Sequence, residues 1–418
     1  MSAWQNASKA AGDGVKKLGA LPMKVCMVAY TFYEQDNRVR RYAETLAKRG
    51  DRVDVVALHM EGQSAREVIE GVTVYRIQRR VVNEKGKLTY LAKLLFFFLR
   101  SFAFLTWKQL HERYDLIHVH SVPDFEVFAA LVPKLMGSKI ILDIHDLVPE
   151  FYLSKFDASS NSATFRLLVA IERMSASFAD HVIAANHIWL KRLRERSVKS
   201  GNLTVILNFP DTDIFHLRGR NRNDHKFIML YPGTLNYHQG VDISVRAFSQ
   251  IADKCPEAEF HIYGGGDQIE FLKSLIAERG LQKRVLLKSS RTLQEISSIM
   301  ENCDLGVVSK RSDGFGNEAF STKIFEFMTV DVPVIVPETA IDRYYFNDSI
   351  VKFFKANDEN SLAEAMLQMI KHPELRETLV RNAREFIKDY VWEKNKGVYL
   401  DLVDSLVTAP GRQAAAKK

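Results

Sequence analysis

Short, wholly apolar runs alternate along this chain with longer stretches whose apolar residues recur at helical spacing, and that alternation constrains the fold most. Runs of strand length are Lys24–Ala29, Arg52–Ala57, Val72–Arg76, Leu116–His120, Ile140–Ile144, His181–Ala184 and Thr204–Leu207, with Arg38–Arg49 as a helical pattern among them. Strands that are apolar on both faces belong to parallel sheets covered by helices on either side. The chain is therefore expected to be α/β. The alternation restarts with Phe227–Tyr231, Val241–Lys254 as a helix, then Glu259–Tyr263, Arg284–Lys288, Leu305–Val308 and Val332–Val336 as strands. Between the halves, residues 209–225 are polar, contain Pro210 and Gly219, lack periodicity and read as a linker. The simplest architecture is two doubly wound, Rossmann-like domains facing each other across a cleft, with ligands at the carboxyl ends of the strands.

The expected division is a loose tail 1–22, an N-terminal domain 23–208, the linker 209–225, a C-terminal domain 226–387, helical residues 388–407 and a second tail 408–418. With 418 residues, 46% of them hydrophobic, the chain has material for two cores. Cys26, Cys255 and Cys303 form no CxxC and are read as buried hydrophobes in a reducing, cytoplasmic setting, not as a disulfide or zinc framework. The net charge is 58 minus 51, or +7, but Lys9, Lys16, Lys17 and Asp13 with Arg412, Lys417 and Lys418 put +5 of it in the tails. Nothing groups aromatic and basic residues as base-reading modules do, so nucleic acid is not an expected partner. The local surplus at 79–113, eight Lys/Arg against Glu84 and Glu112, surrounds the most apolar segment, Leu88–Leu110. Its longest pure apolar run, Leu94–Leu99, is far short of the ~20 residues a spanning helix needs. Two readings stand: an interfacial membrane contact, or a core helix with its charges toward solvent.

No GxxxxGK[ST], HExxH or GxSxG occurs. Gly264-Gly265-Gly266-Asp267 follows a strand and suits either a tight turn or close ligand approach. The richest stretch is SDGFGNEAFSTKIFEFMTVDVPVIVP, residues 312–337. Ser321 reads as the N-cap of a helix Thr322–Thr329, with Glu318 ahead of it and Glu326 inside it. The N–H groups of that helix start form an anion site between two carboxylates, a pattern suited to a nucleotide-sugar. His118 and His120 alternate on a strand and share a side, with no third metal ligand evident, and read as structural or cleft-lining. The Lys191–Arg196 run reads as a solvated helix face.

The STKIFEFM…PVIV stretch resembles the EX7E donor-binding motif of retaining GT-B glycosyltransferases, in particular glycosyltransferase family 4 of the bacterial capsule, O-antigen and exopolysaccharide type. The similarity runs from about Met23 to Val403 and includes DNRVRRYAETLAKRGDRVDVV, DLIHVHSVPDF, DIHDLVPE, YPGTLNYHQGVD, FHIYGGGDQ and CDLGVV. It implies a GT-B fold whose last helix, 388–407, crosses back to the first domain. Glu318 would contact donor-sugar hydroxyls and Glu326 the ribose. Ser321, Thr322, Lys323, Gly233 and Thr234 would lie by the diphosphate. His145 would orient the sugar and stabilise charge beside Asp146, although a histidine after a strand also reads as structural. Asp36, Asn37 and Arg38 would form an acceptor or diphosphate loop, or merely a helix cap with an exposed arginine. Family members often carry Arg after the YPG glycine and Lys before the later one; this chain has Thr234 and Gln239 there, with Lys323, Lys310, Arg311 or Arg291 as substitutes. The implied activity is retaining transfer of a hexose-type sugar from a nucleotide diphosphate sugar to a glycan or lipid-linked acceptor hydroxyl. It would proceed without metal or cofactor, at the inner face of the cytoplasmic membrane through 79–113. The alternatives are a catalytically silent GT-B scaffold of a polysaccharide assembly complex and a nucleotide-sugar 2-epimerase.

Overall fold

Each half builds a sheet of the kind the alternation requires. The computed structural model describes residues 22–80, 87–156, 159–198 and 201–407; the expected tails, Pro22 apart, lie outside these, as do residues 81–86 of the basic segment. Among the described residues, one compact unit draws on those up to Pro149, on Asn161–Leu207 and on those from Asn395 onward, the other on those between Glu150 and Ser160 and between Asn208 and Lys394.

In the first unit eight strands run β1 Lys24–Ala29, β2 Arg52–His59, β3 Arg66–Ile69, β4 Val72–Arg79, β5 Leu116–His120, β6 Lys139–Ile144, β7 His181–Ala184 and β8 Leu203–Val205. Their order is β3-β4-β2-β1-β5-β6-β7-β8, parallel throughout except for the β3–β4 pair. Beyond the β1–β5 pair the order runs the other way, which makes the carboxyl ends of those strands the ligand-accepting edge. Helix Asn37–Arg49 starts at that edge. Asp36 caps it by accepting from the Arg38 and Val39 N–H groups, and Gly50, at φ 103°, ends it.

The second sheet comprises β9 Phe227–Pro232, β10 Ala258–Tyr263, β11 Val285–Lys288, β12 Leu305–Val307, β13 Val334–Pro337 and β14 Lys352–Phe354, in the order β11-β10-β9-β12-β13-β14 and all parallel. Its core joins Met229, Phe260, Ile262, Leu305 and Ile335 to Val245 and Phe248 of helix Val241–Ile251. The order reverses between β9 and β12, and the Thr322–Thr329 helix precedes β13.

Several expected boundaries shift. β8 stops at Val205 and β13 begins at Val334, because Val332 lies in the turn that leaves the preceding helix, its N–H donating to Phe327 O at 3.0 Å. The expected last helix, 388–407, begins only at Trp392 and runs to Val407, and a separate helix, Pro373–Ile387, precedes it. The break lets Tyr390 stack on Phe386 at 4.4 Å and reach Phe325 at 5.2 Å. Residues 209–225 are not a free linker. Arg218 donates to Ser297 Oγ at 2.9 Å, and its N–H and that of Gly219 donate to Glu301 Oε1 at 2.5 and 2.7 Å.

Candidate functional site

In the second unit the site residues gather at the carboxyl ends of β9 and β10 and at the start of helix Thr322–Thr329. Gly233 follows β9 at φ +145°, and a Cβ there would fall 2.3 Å from Lys323 Cε. A Cβ on Gly264 would fall 1.8 Å from the Gly233 carbonyl oxygen, so the loops after β9 and β10 meet backbone to backbone. Gly233 N–H donates to Tyr263 O at 2.8 Å and Leu235 N–H to Gly265 O at 2.9 Å. Loop packing thus demands glycine at 264 and at 266, where a Cβ would fall 2.4 Å from the Leu235 carbonyl oxygen, but not at 265, where it would meet only Ser290 Oγ at 3.4 Å.

Lys323 points its ammonium at the Tyr231 ring, 5.5 Å from the centroid, and makes no hydrogen bond or ion pair among the described residues. Burial lowers its pKa, against the opposing field of Glu326 one turn on. Burial likewise raises the Glu326 carboxyl, against Lys323 and the Thr322 hydroxyl. Ser321 holds the extended cap position, but its side chain makes no capping hydrogen bond, contrary to the sequence expectation. The first-turn N–H groups are therefore not taken up by that hydroxyl. Glu318 lies just ahead, its N–H donating to Phe315 O at 3.0 Å. Thr234 and Gln239 serve the loop: the Tyr231 hydroxyl lies 2.8 Å from Thr234 O and 3.0 Å from Gln239 Oε1.

Two of the expected substitute cations are engaged in structure. Lys310 Nζ donates to Gly316 O (3.0 Å) and Ala319 O (2.6 Å) and pairs with Asp342 at 3.0 Å. Arg311 donates from one guanidinium nitrogen to both Asp242 carboxylate oxygens, at 2.7 and 2.8 Å, and stacks over Tyr237. Arg291 is exposed. Of these candidates, Lys323 is the half-buried one without a hydrogen-bond acceptor among the described residues.

In the first unit, Arg38 is not the exposed cap residue of the bland reading but 4% exposed, with a fork to Asp143 at 2.7 and 2.7 Å. Asp36 is the cap and Asn37 the first helical residue. Burial alone would raise the Asp143 carboxyl; Arg38, then His145 and His120, outweigh it and hold it well below the ordinary range. His145 Nε2 lies 3.1 Å from Asp143 Oδ2. Burial raises Asp146, against His145 and Arg38. His118 and His120 are buried and stacked at 4.1 Å, and His118 Nδ1 lies 3.0 Å from the Tyr399 hydroxyl.

Asp143 supplies the third metal-type ligand beside His118 and His120 that the sequence did not reveal, their ligand atoms lying within 4.8 Å of one another. The arrangement does not suit a cation: the Arg38 fork takes both carboxylate oxygens, and the two imidazoles lie face to face. Sequence reasoning missed Asp143, although a carboxylate inside the apolar run KIILDI was a signal, since a buried charge requires a partner. Tyr42 and Tyr399, which complete the ring cluster, gave no signal.

The surface of the first unit carries a second feature. Helix Lys87–His111 leaves Leu91, Leu95, Phe96, Leu99, Trp107 and Leu110 exposed, while Lys108 is buried against Tyr75 and Glu112. Leu94, Phe97 and Leu105 are buried and Arg100 is exposed, as a core helix requires, but the exposed apolar residues and the buried Lys108 are not part of that reading. By length and composition Thr89–His111 could cross a membrane, and 22% of its most apolar stretch is buried.

Comparison with known proteins matches residues 35–208 to the glycosyl transferase 4-like domain and residues 214–386 to the glycosyl transferases group 1 family. An uncharacterized glycosyltransferase of Methanocaldococcus jannaschii is 28% identical over 68% of this chain and 73% of its own. The GDP-mannose:cellobiosyl-diphosphopolyprenol alpha-mannosyltransferase of Xanthomonas campestris is 26% identical over 53% of this chain and 57% of its own. Among solved structures, sucrose-phosphate synthase from Thermosynechococcus elongatus superposes with a TM-score of 0.76 at 18% identity, covering 92% of this chain and all of the other.

Proposed function

We propose that this chain, a glycosyltransferase with the GT-B fold, moves a hexose-type sugar from a nucleotide diphosphate sugar to an acceptor hydroxyl with retention of anomeric configuration. The observation that carries the reading is Lys323, a half-buried ammonium without a hydrogen-bond acceptor among the described residues, in the first turn of a helix and against Gly233. A diphosphate seated there would receive the ammonium, the helix N–H groups and the backbone of the β9 loop. As the sugar–phosphate bond breaks, negative charge grows on the leaving diphosphate, and these fixed groups stabilise it more than they stabilise the ground state. Glu326, charged or protonated, offers hydrogen bonds to ribose hydroxyls, and Glu318 to the sugar. Retention is read from the resemblance of the Glu318–Glu326 pair to retaining enzymes. His145, with Asp146 beside it, is assigned to the sugar and acceptor side.

The acceptor we favour is lipid-linked, a glycan precursor at the inner face of the cytoplasmic membrane. The exposed apolar face of helix Lys87–His111 supports it, as does the diphosphopolyprenol in the name of the Xanthomonas relative. Arg100, exposed next to Leu99 on the same helix, adds positive charge there.

The test is direct titration and turnover with UDP- and GDP-hexoses. Binding that Lys323→Ala weakens and Glu318→Gln alters, with transfer to an acceptor, is the expected result. No binding of any common nucleotide sugar would overturn the reading. Conversion of donor alone to its 2-epimer would favour an epimerase, and binding without turnover a scaffold.

A further inference from the structure

One buried cluster of the first unit is not used by the donor reading. Asp143 is the carboxylate within β6, KIILDI, and is fully buried. Strand register sets its neighbours. His120 of β5 is its partner across the β5–β6 pair, and His145, two residues on, returns to the same side of the chain. Arg38, in the first turn of helix Asn37–Arg49, closes over both carboxylate oxygens and ties its remaining nitrogen to Ile206 O at 2.9 Å. Of the side chains touching the carboxylate, His145 keeps an open side: it is 22% exposed, against 4% for Arg38 and 1% for His120.

We propose that Asp143, locked by Arg38, is the positioning residue of His145, fixing its ring and its tautomer so that Nδ1 is the nitrogen left to accept a hydrogen bond from a sugar hydroxyl. The role given to the Nδ1 acceptor rests on the glycosyltransferase reading; the clamp itself does not.

The chemistry follows from the donor inventory. A guanidinium stays protonated in proteins, so the carboxylate facing it stays charged and accepts only. Nε2 of His145, 3.1 Å from Oδ2, must then carry the proton of the neutral ring, and Nδ1 must lack it. The other groups facing His145 agree with this. His120 Nδ1, 3.2 Å from Nε2, can accept from it or turn its own proton to Oδ2 at 3.3 Å. Asp146 stands beside it in the chain, and Arg38 lies beyond Asp143. Behind His120 the rings of His118 and Tyr42 stack at 4.1 and 5.9 Å, and the Tyr399 hydroxyl closes the far end, so the clamp cannot rotate into an alternative arrangement without unpacking these rings.

The test compares wild type, Asp143→Asn and the double variant Arg38→Met/Asp143→Asn, in which neither charge is left buried alone. Nitrogen-15 histidine spectra of the ligand-free protein, with His145 assigned by its loss in His145→Gln, read the tautomer directly. Wild type is expected to show the Nε2–H form and both variants a mixed population. With a donor and acceptor in hand, kcat should fall on the order of a hundredfold while the donor KM moves less than about twofold. An Nε2–H form that persists in the folded double variant overturns the proposal whatever kcat does, as does an unchanged kcat. If wild type transfers no sugar at all, the donor reading fails, while the tautomer still decides this one.

Discussion

Lys323 and Gly233 act as a pair, because the space a Cβ would fill is already held by the lysine stem. Gly233→Ala is therefore expected to push aside Lys323, whose obstructing atoms are the far end of a flexible side chain, and also to strain the loop, because φ +145° is a conformation that an L side chain rarely adopts. A charged hydrogen bond contributes about 1.5–3 kcal/mol, so Lys323→Ala should weaken donor binding roughly ten- to a hundredfold. Gly233→Ala should lose a comparable amount in the same calorimetric titration. Retained affinity in both would place the diphosphate elsewhere. The Arg38–Asp143 pair makes a different prediction, about stability. Removing one member strands a buried charge at about 3–5 kcal/mol, whereas replacing both by apolar or neutral groups is often neutral. Urea midpoints should fall sharply for Asp143→Asn and recover in Arg38→Met/Asp143→Asn. Residue identities at this scale were partly legible. Gly233, Lys323 and Glu326 could be placed because loop, cap and helix are local patterns. The burial of Arg38 was not legible because its partner lies 105 positions away, and local spacing carries no signal of such a contact.

Helix Lys87–His111 belongs to the next scale up, because its exposed apolar residues act as a face and not singly. Leu91, Leu95 and Leu99 recur every four residues, with Trp107 and Leu110 continuing the stripe. Replacing Leu95 and Leu99 with Glu should abolish co-sedimentation with anionic vesicles at low salt while changing stability by no more than about 0.5 kcal/mol each, as exposed substitutions do. Unchanged vesicle binding would remove the membrane role of this face, and a monomer formed from a dimer would reassign it to self-association. Elements were the most legible level. The parallel strands declare themselves because burial on both faces forces continuous apolar runs. β3 escaped notice because Arg66, Glu67 and Val68 are exposed on an antiparallel edge. β14 is three residues long and carries no periodicity. The apolar segment 88–110 was legible as a helix, but not which side it buries, since that depends on the 3-10 turn Asp124–Ala130 packed beneath it.

At the scale of the molecule, two units with separate sheets invite separate responses to pH. Among the described residues of the first unit, burial raises three carboxyls: Asp124 to about 7, against Ser121, Glu126 to about 8, against Ser101, and Asp146, against His145 and Arg38. A folded pKa above the unfolded value near 4 means the native state binds more protons across that interval, so stability falls as pH rises from about 4 and levels off above about 8. Asp143 works in the opposite sense. Its depressed pKa adds stability that is present above the unfolded value and is lost only as pH falls through its folded value, below about 4. Burial lowers His118, His120, His181 and His187, so below the ordinary histidine value of about 6.5 the unfolded state binds more protons and their contribution falls as pH drops. Histidines and carboxyls together place the maximum of the first unit on the mildly acidic side of neutrality, with weakening toward pH 8. Glu126→Gln removes one raised carboxyl and leaves an amide beside the Ser101 hydroxyl. The urea-dependent amide exchange of β1, β5 and β6 should then show a smaller loss of protection between pH 5 and 8 than in wild type, with β9 and β10 serving as the internal reference. If Glu126→Gln leaves that slope unchanged in β1, β5 and β6, its carboxyl is not the group that titrates.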